Sequence, residues 1–122
     1  MKTNELSSRL FKFAADVIKF SRKLPETNEY RVIKYQLVKS SASCGANYEE
    51  AQAGSSTADF TYKVEISLRE MKESNYWLRL LKEVSNNLTG SDLNNLDYLI
   101  DESKQLKSIL GAIVVKVKMK DS

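Results

Sequence analysis

The chain has 122 residues and a net charge of +3, and it contains one proline, four glycines and no histidine. This length fits a single domain over residues 1–122, and so few helix-breaking residues favour long helices over a turn-rich sheet protein. No run reaches the roughly 18 apolar residues of a membrane span, so we expect a soluble, cytoplasmic protein with no membrane partner. Cys44 is the only cysteine, which excludes an intramolecular disulfide.

The first predicted helix covers about residues 5–23. Apolar residues recur in it at alternating spacings of four and three, which is typical of a helix face packed in a bundle. Pro25 ends this helix, and Thr27 or Asn28 can cap the next one. So short a connection predicts that the first two helices are antiparallel neighbours. The residues of the packed face are Leu6, Leu10, Phe13, Val17, Phe20 and Leu24.

The second predicted helix contains seven consecutive small residues, Ser40 to Ala46. Serine and glycine are poor helix formers, so neighbouring helices must hold this run in place. Small side chains let helix backbones approach closely, and we expect Gly45 and Ala46 to lie at such a contact. The packed face comprises Tyr30, Ile33, Leu37, Ser40, Cys44, Asn47 and Ala51.

A capping box, Ser56 followed by Asp59, predicts that the third helix begins near Thr57, and the helix runs to about Asn86. Its packed face comprises Phe60, Val64, Ser67, Met71, Ser74, Leu78 and Leu81. Ser91 can cap the fourth helix, whose packed face comprises Leu96, Leu99, Ser103, Leu106, Leu110, Ile113 and Val117. The predicted fold is therefore all-α, an antiparallel up-down-up-down four-helix bundle with long helices.

Two segments of the chain carry a family resemblance: QLVKSSASCGANYEEA at Gln36 to Ala51, and SSTADFTYKVEISLREMKESNYWL at Ser55 to Leu78. They resemble the signature segments of the 23S ribosomal RNA intervening-sequence protein family, also called the four-helix-bundle protein family. The similarity extends upstream to RLFKFAADVIKFSRKLP at residues 9–25 and thins over the fourth helix. It implies a homopentamer. A related branch, the accessory proteins of diversity-generating retroelements, uses a basic pentameric barrel to engage nucleic acid and a reverse transcriptase.

The resemblance also marks positions that match the family's motif and implies structural or interface roles for most of them. Two of these, Glu70 and Glu73, lie one helical turn apart, and helical bundles hold di-metal sites made of such carboxylates. Those sites usually add histidines, so we expect neither a metal nor a cofactor here. Instead, nearby side chains should satisfy the carboxylates, namely Lys63, Arg69, Lys72 and Tyr76. The matching positions are Gln36, Ser40, Gly45, Asn47, Glu50, Ala51, Asp59, Phe60, Lys63, Glu70, Glu73, Tyr76, Trp77 and Leu78. Those given a structural or interface role are Asn47, Glu50, Asp59, Phe60, Lys63, Glu70, Glu73, Tyr76 and Trp77.

No arrangement of residues in the sequence points to catalysis. Without histidine there is no Ser-His-Asp or Cys-His arrangement, and no glycine-rich phosphate loop is present. Tyr76 and Trp77 are expected to be core or interface anchors rather than stacking platforms for bases. We therefore expect the protein not to be an enzyme.

The positive charge is concentrated in residues 1–25, which carry six basic and two acidic residues. A single charged stripe of this kind is usually just a helix face exposed to solvent. In a pentamer, however, +3 per chain becomes 5 × 3 = +15, enough to attract a polyanion. The candidate nucleic-acid contacts are Arg9, Lys12, Lys19, Arg22, Lys23, Lys116, Lys118 and Lys120.

The leading hypothesis is a non-enzymatic homo-oligomer, with five chains favoured, that binds RNA or DNA through these basic residues. The alternative is an oligomeric scaffold that binds another protein and has no affinity for nucleic acid. Both readings expect an interface between copies, because the predicted apolar faces are wider than a lone bundle requires. The residues that widen them are Phe11, Ile18, Ile109 and Val114.

Overall fold

The computed structural model describes residues 3–54 and 56–120, and within these ranges the chain forms four α-helices and no strand. They are α1 (Thr3–Ser21), α2 (Asn28–Ala53), α3 (Thr57–Val84) and α4 (Gly90–Lys120). Ser55, the first residue of the second resembling segment, lies outside the described residues. Each helix packs against the next one in the chain, and α1 packs against α4. The predicted all-α four-helix bundle is confirmed.

Side-chain contacts show that neighbouring helices are antiparallel. At one end of the α2–α3 pair, Tyr30 Oη shares a 3.0 Å hydrogen bond with Ser85 Oγ, and at the other end Lys63 Nζ contacts Glu50 at 2.8 Å. No helix in the described part of the chain is long and apolar enough to cross a membrane.

Side-chain capping sets the start of α3 but not that of α2, where the N-cap residue Thr27 makes no side-chain capping hydrogen bond. Ser56 Oγ accepts a 3.1 Å hydrogen bond from the backbone N–H of Asp59, as the capping box predicts. The fourth helix begins at Gly90, one residue before Ser91, which was expected to cap it. Gly90 has a φ of +56°, a left-handed conformation that glycine adopts without steric cost. The first helix ends two residues earlier than predicted, at Ser21, and the third ends at Val84.

The core contains every residue of the predicted face of α1 and most of those of the other helices. The strict three-four repeat fails near the ends of α2 and α4, where Asn47 and Ile113 are only half-buried. Tyr48 and Val114 are buried instead, each 18 residues after a buried residue that begins its helix's face. Eighteen residues make five full turns at 3.6 residues per turn, so residues 18 apart lie on the same side of the helix. A heptad repeat drifts by about 20° from that side in each period, so its predicted buried position is displaced at the far end of a long helix. Phe60 and Val117 are also half-buried.

Both α1 and α4 expose apolar side chains, but on α4 they are not the residues that the sequence predicted. Phe11 is 71% exposed and, with the half-buried Ile18, lines a groove between α1 and α2. Val114 is buried, and Ile109 packs against the core. The large apolar side chains that α4 exposes are Val115 and Met119.

Candidate nucleic-acid interface

The small-residue stretch of α2 forms a hydrogen-bonded contact with α3. Ser40 Oγ and Ser74 Oγ lie 2.7 Å apart, and Ser67 Oγ donates to the backbone carbonyl of Cys44 at 2.7 Å. All four residues are buried. Burial, with the nearby Glu70 carboxylate, raises the pKa of the Cys44 thiol to about 12, so this thiol is protonated at neutral pH. These hydrogen bonds join α2 and α3 within the core.

Gly45 and Ala46, which were expected at a close helix contact, lie beside α1 instead of α3. A Cβ added at Gly45 would sit 3.5 Å from the Cβ of Leu10, an ordinary van der Waals distance. Ala46 is exposed on the rim of the groove between α1 and α2. Gly45 alone therefore marks a helix approach, and it has room for one methyl group.

The expected pairing of the motif carboxylates with nearby side chains is only partly observed. Lys63 Nζ joins α3 to α2 through Glu50 at 2.8 Å, and the hydrogen bond to Glu50 raises the pKa of Lys63. Glu73 accepts a 3.2 Å hydrogen bond from the indole N–H of Trp77 on its own helix. Among the described residues the Glu70 carboxylate has no hydrogen-bond or ion-pair partner, and no group of three His, Cys, Asp or Glu residues could hold a metal ion.

The other motif residues contact their own helix. Asn47 donates to the carbonyl of Ser43 at 2.9 Å, one turn earlier. Tyr76 is exposed and packs edge-on against the half-buried Trp77, with ring centroids 5.1 Å apart. Tyr76 lies beside the Arg79 guanidinium, 5.9 Å from ring centroid to cation, so it does not pair with a carboxylate as expected.

Arg9, predicted to contact nucleic acid, is instead part of the bundle. Its guanidinium donates to both carboxylate oxygens of Glu102 at 2.8 Å and to Gln105 Oε1 at 2.9 Å. The Glu102 side chain is only 11% exposed. The hydrogen bond to Glu102 raises the pKa of Arg9, which keeps the guanidinium charged. This bidentate pair ties α1 to α4 and withdraws Arg9 from the set of available cations.

Three of the other predicted cations, Lys12, Lys19 and Lys23, border one groove between α1 and α4. Lys12 and Lys19 are seven residues apart on α1, which keeps them on one flank of the helix about 10 Å apart, and Lys23 lies in the turn that follows the end of the helix at Ser21. The groove has a volume of about 380 Å³. We call it the lysine groove, and its lining residues are Lys12, Asp16, Lys19, Phe20, Lys23, Asn95, Tyr98 and Leu99.

The lysines of this groove are accessible. Lys12 pairs with Asp16 at 2.7 Å and Lys23 with Asp92 at 3.3 Å, and both lysines are exposed whereas both carboxylates are half-buried. Exposed ion pairs contribute about 0–1 kcal/mol, so a phosphate can replace the carboxylate at little cost. Lys19 has no ion-pair or hydrogen-bond partner within the described ranges. The hydrogen bond to Asp16 raises the pKa of Lys12, so its ammonium stays charged.

The remaining predicted cations lie elsewhere. Arg22 borders a shallow groove on the α2 side of α1, together with Tyr35 and Lys39. Lys118 pairs with Glu65 of α3 at 3.0 Å. It follows Tyr98 by 20 residues, which is about 30 Å along α4. The structure therefore does not bring the C-terminal cluster, Lys116, Lys118 and Lys120, to the lysine groove.

Sequence reasoning missed three residues that shape this surface: Asn95, Tyr98 and Glu102. Tyr98 and Asn95 lie off the apolar repeat of α4, where the sequence alone does not distinguish a groove from open surface. Glu102 directly precedes Ser103, a residue of the predicted packed face. A carboxylate beside a packed position lies close to the core and needs a partner of opposite charge, so the sequence did contain a signal for such a pair, and Glu102 is indeed buried.

Comparison with known proteins gives a consistent family assignment. A model of the 23S rRNA-intervening sequence protein family matches residues 2–109, which include the lysine groove and exclude the C-terminal lysines. A crystal structure from Bacteroides thetaiotaomicron VPI-5482, described as a protein with unknown function from the S23 ribosomal protein family, is 30% identical. The alignment covers 93% of this chain and 98% of that chain, with a TM-score of 0.78. A search of curated proteins finds no match.

Proposed function

The chain belongs to the 23S rRNA-intervening sequence protein family, and on this premise we propose that it is a non-enzymatic homo-oligomer that binds nucleic acid through the lysine groove. The observation that carries the proposal is the convergence of Lys12, Lys19 and Lys23 on one groove. Two carboxylates oppose these three lysines: Asp16 lines the groove, and Asp92 pairs with Lys23. Lysine ammonium groups neutralise phosphates and release the counterions that surround them.

Such contacts read the phosphate backbone and not the bases. Affinity should therefore vary little with sequence and fall steeply with salt, because each neutralised phosphate adds about −0.9 to the log-log salt slope on duplex DNA and about −0.7 on single strands. A ring of copies would repeat the groove and multiply the charge. Five chains would carry 5 × 3 = +15, which strengthens attraction to a polyanion.

Assembly is the second part of the proposal. Phe11 is 71% exposed beside a groove of about 350 Å³ between α1 and α2, lined largely by small apolar residues. An exposed aromatic ring next to an apolar groove is typical of an interface. We propose that Phe11 contacts another copy of the chain. Light scattering during size-exclusion chromatography should show an oligomer, most simply a pentamer, and Phe11→Glu should dissociate it.

The binding experiment uses a charge-reversed variant and a matched control. Lys12→Glu with Lys19→Glu should weaken binding to all sequences alike and flatten the salt slope by about 1.8 on duplex DNA or about 1.4 on single strands, as expected for two lost phosphate contacts. Lys72→Glu with Lys104→Glu changes the net charge equally at exposed positions outside the groove. This control should keep most of the affinity and the original slope.

Two results would contradict the proposal. If structured RNA, single strands and duplex all failed to bind the unsubstituted protein at near-physiological salt, nucleic-acid binding would be excluded. A stable 13.9 kDa monomer at micromolar concentration would exclude the assembly. With the first result and an intact oligomer, the alternative function, a scaffold for another protein, would stand. Val115 and Met119, which are exposed on α4 away from the groove between α1 and α2, are the observation that favours it.

A further inference from the structure

We infer that the lysine groove binds an unpaired nucleobase stacked on the ring of Tyr98, so that its ligand is single-stranded nucleic acid. This inference rests on the proposed function and adds a ligand class to it. Phosphate contacts from lysine do not distinguish a single strand from a duplex. A stacking surface does, because the bases of a duplex already stack on one another.

The position of Tyr98 suits this role. Its side chain is 50% exposed on α4, and the ammonium of Lys12 on α1 lies 5.9 Å from its ring centroid. Phe20 and Leu99, both buried, line the groove beside it. A base placed on the ring would therefore meet an aromatic face within reach of the cations that hold its phosphates.

Asn95 adds a polar group at the same place. It precedes Tyr98 by three residues on α4, so the two side chains lie on one face a turn apart. Asn95 is exposed, lines the groove, and its amide makes no hydrogen bond within the described ranges. An amide offers both donors and an acceptor, which is the combination that a base edge requires.

Two other exposed tyrosines also lie near cations, but they differ from Tyr98 in which helix supplies the cation. Lys39 lies 5.8 Å from the ring of Tyr35, and Arg79 lies 5.9 Å from the ring of Tyr76. Each of those cations comes from the tyrosine's own helix. Only Tyr98 of these three receives its cation from a neighbouring helix, across the groove that also holds Lys19 and Lys23.

The test separates base contact from phosphate contact. The probes are a 20-nucleotide thymidine strand and a strand of equal length in which every base is absent, so that the phosphates are the same. Base stacking on an aromatic side chain changes affinity by roughly 5- to 150-fold per base. The unsubstituted protein should bind the thymidine strand tighter than the abasic strand by a factor in this range.

The variant Tyr98→Leu keeps apolar volume in the groove and removes the aromatic ring. It should bind both strands with the affinity that the unsubstituted protein shows for the abasic strand, and its salt slope should be unchanged because no phosphate contact is lost. Tyr98→Phe should restore the preference for bases. Tyr35→Leu, at a tyrosine that is 63% exposed outside this groove, should leave the preference intact.

Three results would overturn the inference. Equal affinity of the unsubstituted protein for both strands would exclude base contact and leave binding through phosphates standing. A preference for bases that survives in Tyr98→Leu, or that is lost in Tyr35→Leu, would place the base elsewhere. If neither strand bound, the proposed function itself would fail, and this inference would fail with it.

Discussion

The α2–α3 and α1–α4 interfaces use polar residues in opposite ways. Between α2 and α3, serine hydroxyls are buried and hydrogen-bonded across the contact, as in the 2.7 Å pair of Ser40 and Ser74. Between α1 and α4, the polar residues are charged. One pair, Arg9 with Glu102, is nearly enclosed, and the lysines that follow border an open groove.

The difference separates the contacts that hold the bundle together from the side chains that the proposed ligand would use. Small hydroxyl groups let α2 and α3 pack closely, and the hydroxyls of Ser40, Ser67 and Ser74 are all hydrogen-bonded, so their burial leaves no unsatisfied hydroxyl at the contact. Along α1 and α4, one bidentate ion pair ties the helices together, which leaves the exposed charges beyond it available to a ligand. The interfaces should therefore respond differently to substitution.

The largest expected effect is at the enclosed ion pair. Arg9→Ala should lower the free energy of unfolding by on the order of 3 kcal/mol, because it leaves the Glu102 carboxylate without its charge partner at a nearly buried position. Urea denaturation measures this change. Lys12→Ala removes an exposed pair and should cost less than about 1 kcal/mol. Equal losses in the two variants would show that the two ion pairs on α1 do not differ.

The next effect is at the α2–α3 contact. Ser67 is fully buried and donates to the carbonyl of Cys44. Ser67→Leu should force the helices apart and cost about 1–3 kcal/mol, measurable by thermal unfolding. Ser108→Leu, on an exposed part of α4, is the matched control and should change the melting temperature little. Retained stability in Ser67→Leu would mean that this interface has free space.

A smaller effect of opposite sign is expected where α2 approaches α1. Gly45→Ala should raise the free energy of unfolding by up to about 1 kcal/mol, since alanine is the better helix former and its Cβ fits at 3.5 Å from Leu10. Gly45→Leu adds branched atoms against the same neighbour, so it should melt below Gly45→Ala. A destabilised Gly45→Ala would show that the approach is tighter than the structure indicates.

The smallest effect concerns the buried thiol. The folded pKa of Cys44 is about 12 against an ordinary value of 9.0 for a cysteine thiol, so the unfolded state loses its proton first as the pH rises. Stability from this group is full below about pH 9 and is lost toward pH 12. The loss should be somewhat under about 1 kcal/mol between pH 8 and 9.5. Cys44→Ala should lack this part of the slope, whereas tyrosines and lysines contribute equally to both proteins; identical slopes would contradict the burial of the thiol.

The sequence by itself determined the helices and most of the core, because apolar periodicity, capping residues and the single proline act over a few neighbouring residues. Five turns after Tyr30, the heptad pattern misplaced one buried position at Asn47 because it treats the helix as having 3.5 residues per turn. A repeat pattern in the sequence therefore does not predict which of two adjacent residues is buried at the far end of a long helix. The family motif was likewise visible in the sequence as polar and aromatic residues at defined positions.

Only the tertiary structure decided which charges are available. Arg9 and Lys19 look alike in the sequence, yet Arg9 meets a carboxylate 93 residues away and Lys19 meets none in the described chain. The same holds for Tyr98, which becomes part of the lysine groove because α4 returns beside α1. An ion pair or a groove depends on two helices at once, and the pairing of side chains across them follows from packing that local sequence does not specify.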